Sequence, residues 1–550
     1  MSQTAPTAAR RRLRDNPWVV LVSLCLGFFM ILLDTTIVNV AVPSMIDGLG
    51  ASLDQILWVI NAYVLVYAVL LITAGRLGDM WGPKPLFIAG MALFTLASVA
   101  CGLAESPTQL IVARIVQGVG GALLTPQSLS IITQIFPPDR RGAAFGLWGA
   151  VAGVAAVTGP TLGGFIVSNW GWEWIFFVNL PIGIASLALA VAVVPNIRPG
   201  RRHRLDLGGT ALVTAALFLI TFGLIEGEQY DWDRIWGPIT IPELIAAGIG
   251  LLIVFLVTQY RAKGEPLVPF QIFRDRNFAL MNYVSGAMSF GLLGMFVPFM
   301  IYLQSVLGLS AAESGLTVAP MALTSIFIAP LGGRLADRVG GKYVLMIGLT
   351  LFATGTGYLI YAADVDAGRW TFLPGLVTAG FGMGFTFPPM ATLAMRDVPP
   401  HLAGAASGVL NTTRQLGGVI GSAAVGALLQ AQLSAQLRLA AVENAGQLPS
   451  PYHDQFVAAF SRAASEGLQV GRGQTGATLP ANVPPEVADR LRQLAEQTFR
   501  EAFTNAMKPS LALAIGVLAS AAVITLFIRQ RTASQPRDTE PSASAAPRAA

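Results

Sequence analysis

Charge is what this chain has least of. Lys, Arg, Asp and Glu make up 12% of its 550 residues, about half the share of a soluble domain. A soluble enzyme would need charged helix faces and polar linkers that are not here, so that class is excluded. Two cysteines, Cys25 and Cys101, are too few for a disulfide framework. Three histidines, His203, His401 and His453, lie in loops without metal-ligand spacing. No nucleophile sits beside a base and no polar cluster fills a loop, so no catalytic or metal-binding residue is assigned. A G-x4-G-K-[ST] loop is also missing, which disfavours work driven by ATP. What is abundant is apolar: 54% of residues are hydrophobic, and the 58 glycines follow no three-residue period. Lipid must be the solvent for most of the chain.

A helix needs about 20 apolar residues to cross a hydrocarbon core of about 30 Å. Long apolar runs place spanning helices at 17–42, 56–75, 85–104, 109–135, 142–168, 173–195, 207–226, 242–260, 278–303, 315–333, 343–363, 371–395, 403–430 and 509–528, fourteen in all. The expectation is an all-α integral membrane protein. Residues 1–16 lack a signal-peptide cleavage pattern and read as a cytoplasmic segment.

Positive charge stays on the cytoplasmic side. Arg10, Arg11, Arg12 and Arg14 precede the first helix, Arg198, Arg201, Arg202 and Arg204 follow the sixth, and Arg261, Lys263, Arg274 and Arg276 follow the eighth. The alternate loops carry acids such as Asp54, Glu105, Asp231 and Asp364. Both termini therefore face the cytoplasm of a multi-pass plasma-membrane protein. The net charge of +5 is this bias, scattered over loops with no basic face, so nucleic acid is not a partner. The outer connection 431–507 is long enough to cross regardless of charge, and 431–445 and 485–506 read as an amphipathic hairpin on the outer surface. It is either a tolerated insertion or a lid or docking surface. Residues 530–550, rich in Ser, Ala, Pro and Arg, read as a disordered tail. Glu226 and Glu243, near outer helix ends, read as solvated.

One segment occurs twice. Gly75-Arg76-Leu77-Gly78-Asp79-Met80-Trp81-Gly82-Pro83-Lys84 follows the second helix, and Gly333-Arg334-Leu335-Ala336-Asp337-Arg338-Val339-Gly340-Gly341-Lys342 follows the tenth. Two copies of G-R-L-x-D-x-x-G-x-K eight helices apart fit a six-helix repeat with two helices inserted. The halves are then 17–195 and 278–528, with 207–260 between them. The repeated loop resembles the signature between the second and third helices of each half in the major facilitator superfamily. Leu33-Asp34-Thr35-Thr36-Ile37-Val38-Asn39-Val40-Ala41-Val42-Pro43 resembles the first-helix motif of its fourteen-helix drug:proton antiporters, the QacA/EmrB type. Arg114-Ile115-Val116-Gln117-Gly118-Val119-Gly120-Gly121 and Gly159-Pro160-Thr161-Leu162-Gly163-Gly164 are similar to two further signatures of that family. The resemblance implies the major facilitator fold, two pseudo-symmetric six-helix bundles plus two inserted helices. It further implies proton-coupled export of amphipathic drugs by alternating access, with no cofactor beyond the proton gradient. Export of an endogenous metabolite, antibiotic or lipid is the alternative, and a nutrient symporter stands behind it. A monomer is expected, with an adaptor protein at the outer loop left open.

Three ionisable residues lie well inside spans: Asp34, Arg114 and Arg414. A charge at the bilayer centre costs at least about 2.5–3.5 kcal/mol on insertion scales, so each is a candidate site residue. By helix rise Asp34 and Arg114 lie about 14 Å and about 8 Å from the outer ends, close enough in depth to meet. Desolvation favours the neutral form of an acid and a nearby cation the charged form, which is the balance a proton carrier needs. Asp34 is the expected carrier, with Arg114 as its tuning partner in line with the relay role the family gives this arginine; a purely structural ion pair is the alternative. Arg414, about 16 Å into its helix, either binds substrate or couples the halves, or else bonds a neighbouring helix. Asn39, Gln117 and Asn411 share these helices as candidate cavity or interhelical hydrogen-bonding residues.

In the repeated loop the resemblance implies a conformational gate built from Gly75, Arg76, Asp79, Gly82, Lys84, Arg334, Asp337, Arg338 and Lys342. Asp79 and Asp337 can sit at helix N-termini, and the basic residues can pair across the cytoplasmic seam or simply anchor topology. Gly159, Pro160, Gly163 and Gly164 permit a kink and close packing, and the family associates them with antiport. Phe290, Met295, Phe299, Met300, Phe381, Met383, Phe385 and Phe387 either line an adaptable apolar cavity or pack against lipid and protein. The tenth helix holds no carboxylate, so dications are disfavoured against monocations, neutral and zwitterionic amphiphiles.

Overall fold

The computed structural model describes residues 16–51, 53–137, 140–196, 206–227, 230, 232–262, 266–309, 311–448, 450–466 and 485–529. The N-terminal arginines and the tail fall outside them. Helix dominates: α1 (Pro17–Leu49), α2 (Leu53–Trp81), α3 (Pro83–Gly102), α4 (Pro107–Ile135), α5 (Arg141–Trp170), α6 (Asn179–Val193), α7 (Leu207–Glu226), α8 (Ile241–Arg261), α9 (Arg276–Ile301), α10 (Ala311–Val339), α11 (Gly341–Ala362), α12 (Leu373–Met395), α13 (Ala403–Ala445), α14 (Ser450–Glu466) and α15 (Pro485–Thr525). A helix lies over each of the fourteen expected ranges. Eleven spans among the described residues are long and apolar enough to cross a membrane.

Local chemistry sets the helix ends. Pro17, Pro83 and Pro107 open their helices, where a missing N–H costs no bond. Ser106, Asp206 and Asp275 cap α4, α7 and α9 by accepting from backbone N–H groups, and Thr240 with Glu243 forms a capping box on α8. Between α2 and α3 there is a single residue, Gly82 with φ 95°, and between α10 and α11 a single residue, Gly340 with φ 90°. Only glycine takes that conformation without strain. The two residues occupy the same position in the repeated segment, so the duplicated sequence makes a duplicated corner.

Helices α1–α6 pack as one group, and α9–α13 with α15 as another. They meet mainly along two equivalent pairs, α2 with α13 and α5 with α10. Between them in sequence, α7 and α8 pair with each other, and α7 leans on α2, where the Phe222 and Trp58 rings lie 5.6 Å apart. A two-stranded hairpin, Arg234–Trp236 with Ile239–Thr240, joins α7 to α8. Glu226 is buried at 2% exposure rather than solvated, at the end of α7 where the Trp232 ring closes on Gly227. Glu243 is exposed as expected.

The outer connection is helical at 431–445 and 485–506 as expected, but both stretches are continuous with their spans. Residues 431–445 continue α13, because nothing from 427 to 445 is Gly or Pro and the run is mostly Ala, Leu and Gln. Residues 485–506 likewise run straight into the last span, with Pro509 inside α15 rather than at the start of a new helix. The 43 residues of α13 extend about 65 Å, roughly twice a hydrocarbon core. Beyond the spans α13, α14 and α15 bury Leu437, Ala441, Phe456, Phe460, Leu494 and Phe499 in apolar packing continuous with the core of the bundle. Arg500 fastens this outer unit to the second group, donating from Nε to the Val306 carbonyl at 2.8 Å and from Nη2 to that of Val365 at 2.6 Å.

Candidate functional site

Asp34 and Arg114, 80 residues apart in sequence, form an ion pair with both side chains essentially unexposed. An acid and a base that must leave water are stable in this setting only if every remaining valence is filled. Here they are. Arg114 Nη1 donates to Asp34 Oδ2 at 2.5 Å and to Gln117 Oε1 at 2.7 Å, and its Nε donates to the Val59 carbonyl at 3.1 Å. The second carboxylate oxygen accepts from Gln117 Nε2 at 2.9 Å and from Asn179 Nδ2 at 3.1 Å. Asn179 Nδ2 also reaches Ser98 Oγ at 3.0 Å, whose hydroxyl donates to the Phe176 carbonyl at 2.9 Å. The Tyr63 ring lies under the guanidinium, 4.2 Å from its carbon, in cation–π contact. Five helices, α1, α2, α3, α4 and α6, thus converge on one carboxylate.

Every group facing that carboxylate is a donor, which fits its ionised form. A proton on Asp34 would turn one oxygen into a donor aimed at other donors, so the proton and Arg114 compete for it. The buried Asn179 Oδ1 has no partner, and reversing that amide would supply an acceptor for the acid proton. Asn179, Ser98 and Tyr63 were not singled out by sequence reasoning; polar residues within the second, third and sixth spans were the only signal.

The glycines of α5 bring α1 close just beyond Asp34. A Cβ at Gly159 would strike the Thr36 side chain and one at Gly163 the Ile37 side chain, whereas Gly164 faces open space. Thr36 Oγ1 donates across the contact to the Ala155 carbonyl at 3.3 Å. The side chains of Asn39 and Pro160 lie outside the described residues.

At the end of the bundle that holds both repeated loops, the two halves touch backbone to backbone. A side chain at Gly75 would strike the Gly404 carbonyl, and one at Gly333 the Gly142 carbonyl. The Asp79 carboxylate accepts from the Gly404 and Ala405 N–H groups at 2.8 and 2.7 Å, capping the first turn of α13. Charge and dipole agree there. Asp337 lies against Gly142 at the first turn of α5, the equivalent position. Each half therefore sets a carboxylate on the fifth helix of the other. Arg76 is buried beside this seam, while Arg334 and Arg338 are exposed. Lys84 and Lys342 bond within their own halves. Lys84 Nζ donates to the Val191 and Val194 carbonyls at 3.1 and 2.6 Å, and Lys342 Nζ to the Leu526 carbonyl at 2.7 Å, so each satisfies the C-terminal carbonyls of the sixth helix of its own half.

The expected cavity residues divide. Gln117 belongs to the Asp34 network. Met295 and Phe299 are fully buried, Met295 under Thr356 of α11, because their face of α9 carries Gly291 and Gly294 into contact with α15 and α13. Asn411 is buried and donates to the Ser407 carbonyl of its own helix at 2.9 Å. These three are packing residues here. Met383 is buried too, and Phe290 and Met300 are half-buried, Phe290 with its backbone against Gly421. Phe381 is exposed, its ring 6.3 Å from that of the half-buried Phe385, and Phe387 faces Gly149 across the halves. Arg414 is half-buried on α13, facing the Tyr67 hydroxyl of α2.

The duplicated helical unit agrees with the family comparison, in which the model for the Major Facilitator Superfamily matches residues 24–422. The chain belongs to the major facilitator superfamily. It is thus a membrane transporter rather than an enzyme. Among its relatives, the multidrug resistance protein Stp of Mycobacterium tuberculosis is 36% identical over 420 residues, covering 76% of this chain and 77% of that one. The "probable actinorhodin transporter" of Streptomyces coelicolor is 33% identical over 561 residues, covering 97% and 94%. The crystal structure of the human organic anion transporter MFSD10 shares this major facilitator fold, with a TM-score of 0.57 at 12% identity over 92% of this chain and 99% of that one.

Proposed function

We propose that this major facilitator protein is a proton-coupled efflux antiporter of the plasma membrane that exports amphipathic drugs, with both termini in the cytoplasm. The observation that carries the reading is the Asp34 network: a membrane-buried carboxylate that accepts from three side chains and for which a proton and Arg114 compete. Proton binding would release Arg114, loosen α1 from α4 and α6, and favour the opening of one end over the other. The sealed seam at the repeated loops, on the side that positive charge assigns to the cytoplasm, corresponds to a conformation closed to the inside. Relatives named for multidrug resistance and antibiotic export support the direction of transport.

The test is purified protein in liposomes with an imposed pH gradient and a screen of dyes and antibiotics. Substrate movement against proton movement is expected, abolished when the gradient is collapsed. No coupled flux with any compound would refute antiport. The near full-length likeness to a protein named for actinorhodin keeps export of a self-made antibiotic as the second reading; deletion of the gene would then raise sensitivity to the cell's own product rather than to foreign drugs.

A further inference from the structure

Arg414 is a cation deep in the chain with no carboxylate paired to it among the described residues. Its Nε is buried without a hydrogen-bond partner. The rest of the side chain is half-exposed on the face of α13 toward α2, where Tyr67 donates to or accepts from Thr125 at 3.0 Å and turns its hydroxyl to the guanidinium. Asp34, the one acid of similar depth, is taken by Arg114. Two tyrosines separate the cations: Arg114 lies over Tyr63, and the Tyr63 ring stacks on Tyr67 with centroids 6.0 Å apart. With Asp34 ionised the pair is neutral and Arg414 leaves a net positive charge. With Asp34 protonated, Arg114 loses its counter-charge as well. Among the described ionisable groups at this depth the sum is therefore positive in both protonation states, which disfavours a cationic ligand.

We propose that Arg414, with Tyr67, recognises an anionic group on the transported compound, so that the substrates handled best are amphiphiles bearing a carboxylate, sulfonate or ionised acidic hydroxyl. An unbalanced membrane cation is costly in the empty protein, and a ligand that brings the missing charge recovers that cost through charge-assisted hydrogen bonds. This rests on the efflux reading and sharpens it, replacing monocations as the favoured class.

The probes are two fluorescent compounds on one skeleton, anionic 1-anilinonaphthalene-8-sulfonate and neutral N-phenyl-1-naphthylamine, with ethidium as the cation. Binding to purified full-length protein is measured for wild type, Arg414→Gln and Arg414→Lys. Arg414→Gln should weaken the sulfonate probe by about tenfold or more while leaving the neutral one within about twofold. Arg414→Lys should restore much of the loss and keeps the test usable where the Gln variant fails to fold. Equal weakening of all three probes, or unchanged sulfonate binding, would overturn the anion site while leaving efflux intact. No proton-driven flux of any compound in the liposome screen, these three probes included, would overturn the efflux reading, and the assignment of the anion site to a transported compound with it.

Discussion

At the level of single residues, the Asp34 carboxylate accepts hydrogen bonds from three side chains. Removing Arg114 leaves a buried charge alone, which typically costs about 3–5 kcal/mol. Arg114→Gln should therefore lower thermal stability markedly, and Asp34→Asn added to it should recover part of the loss, a coupling that a double-mutant cycle on melting curves would measure. Asn179→Ala removes one donor and one latent acceptor; about 1–3 kcal/mol of stability should go with it, and the pH dependence of transport should shift where a residue of packing value alone would leave it fixed. Asp34 and Arg114 were legible because charge within an apolar run is conspicuous, and Gln117 because it lies three residues from Arg114 on one helix face. Asn179 was not. No spacing rule joins residue 179 to residue 34, and an amide in a span is commonly ordinary interhelical bonding.

Among the elements, the seam is made by helix ends rather than by side chains. Gly75, Gly142, Gly333 and Gly404 let backbones meet, and Asp79 caps α13 across the divide. Asp79→Asn loses the charge and one acceptor at an N-terminus, worth about 0.5–2 kcal/mol, which favours the state open at this end by about 2- to 30-fold. A cysteine introduced as Ala405→Cys, in a chain whose Cys25 and Cys101 are replaced by Ser, should then react with a maleimide correspondingly faster; equal rates would detach Asp79 from the gate. The duplicated corner was plain in the sequence, since glycine repeats at the position where φ is positive. Which partner each basic residue takes was not: Lys84 and Lys342 have flexible stems, and local helix carbonyls satisfy them before any charge across the seam.

Over the whole molecule, a helix lies over every range that hydropathy marked, with ends that differ by several residues, and 431–445 and 485–506 were legible as helices. Their continuity with the spans and the helix α14 were not, because helix continuity past the membrane depends on the absence of breakers rather than on a change in polarity. Arg500 ties that outer unit to the second half. Arg500→Ala should speed amide hydrogen exchange in α14 and the outer turns of α13 and α15, with little change at Asp34. The molecule is closed at the end of the repeated loops, and Asp34 is sealed from water, so proton exchange requires the halves to move. The claim that Asp34 carries the proton is tested most directly by substrate-induced proton release from purified protein in weakly buffered detergent, using a compound shown to be exported. Wild type should acidify the medium on binding, and Asp34→Asn should bind the compound without releasing protons. Proton release of wild-type size from Asp34→Asn would contradict the account.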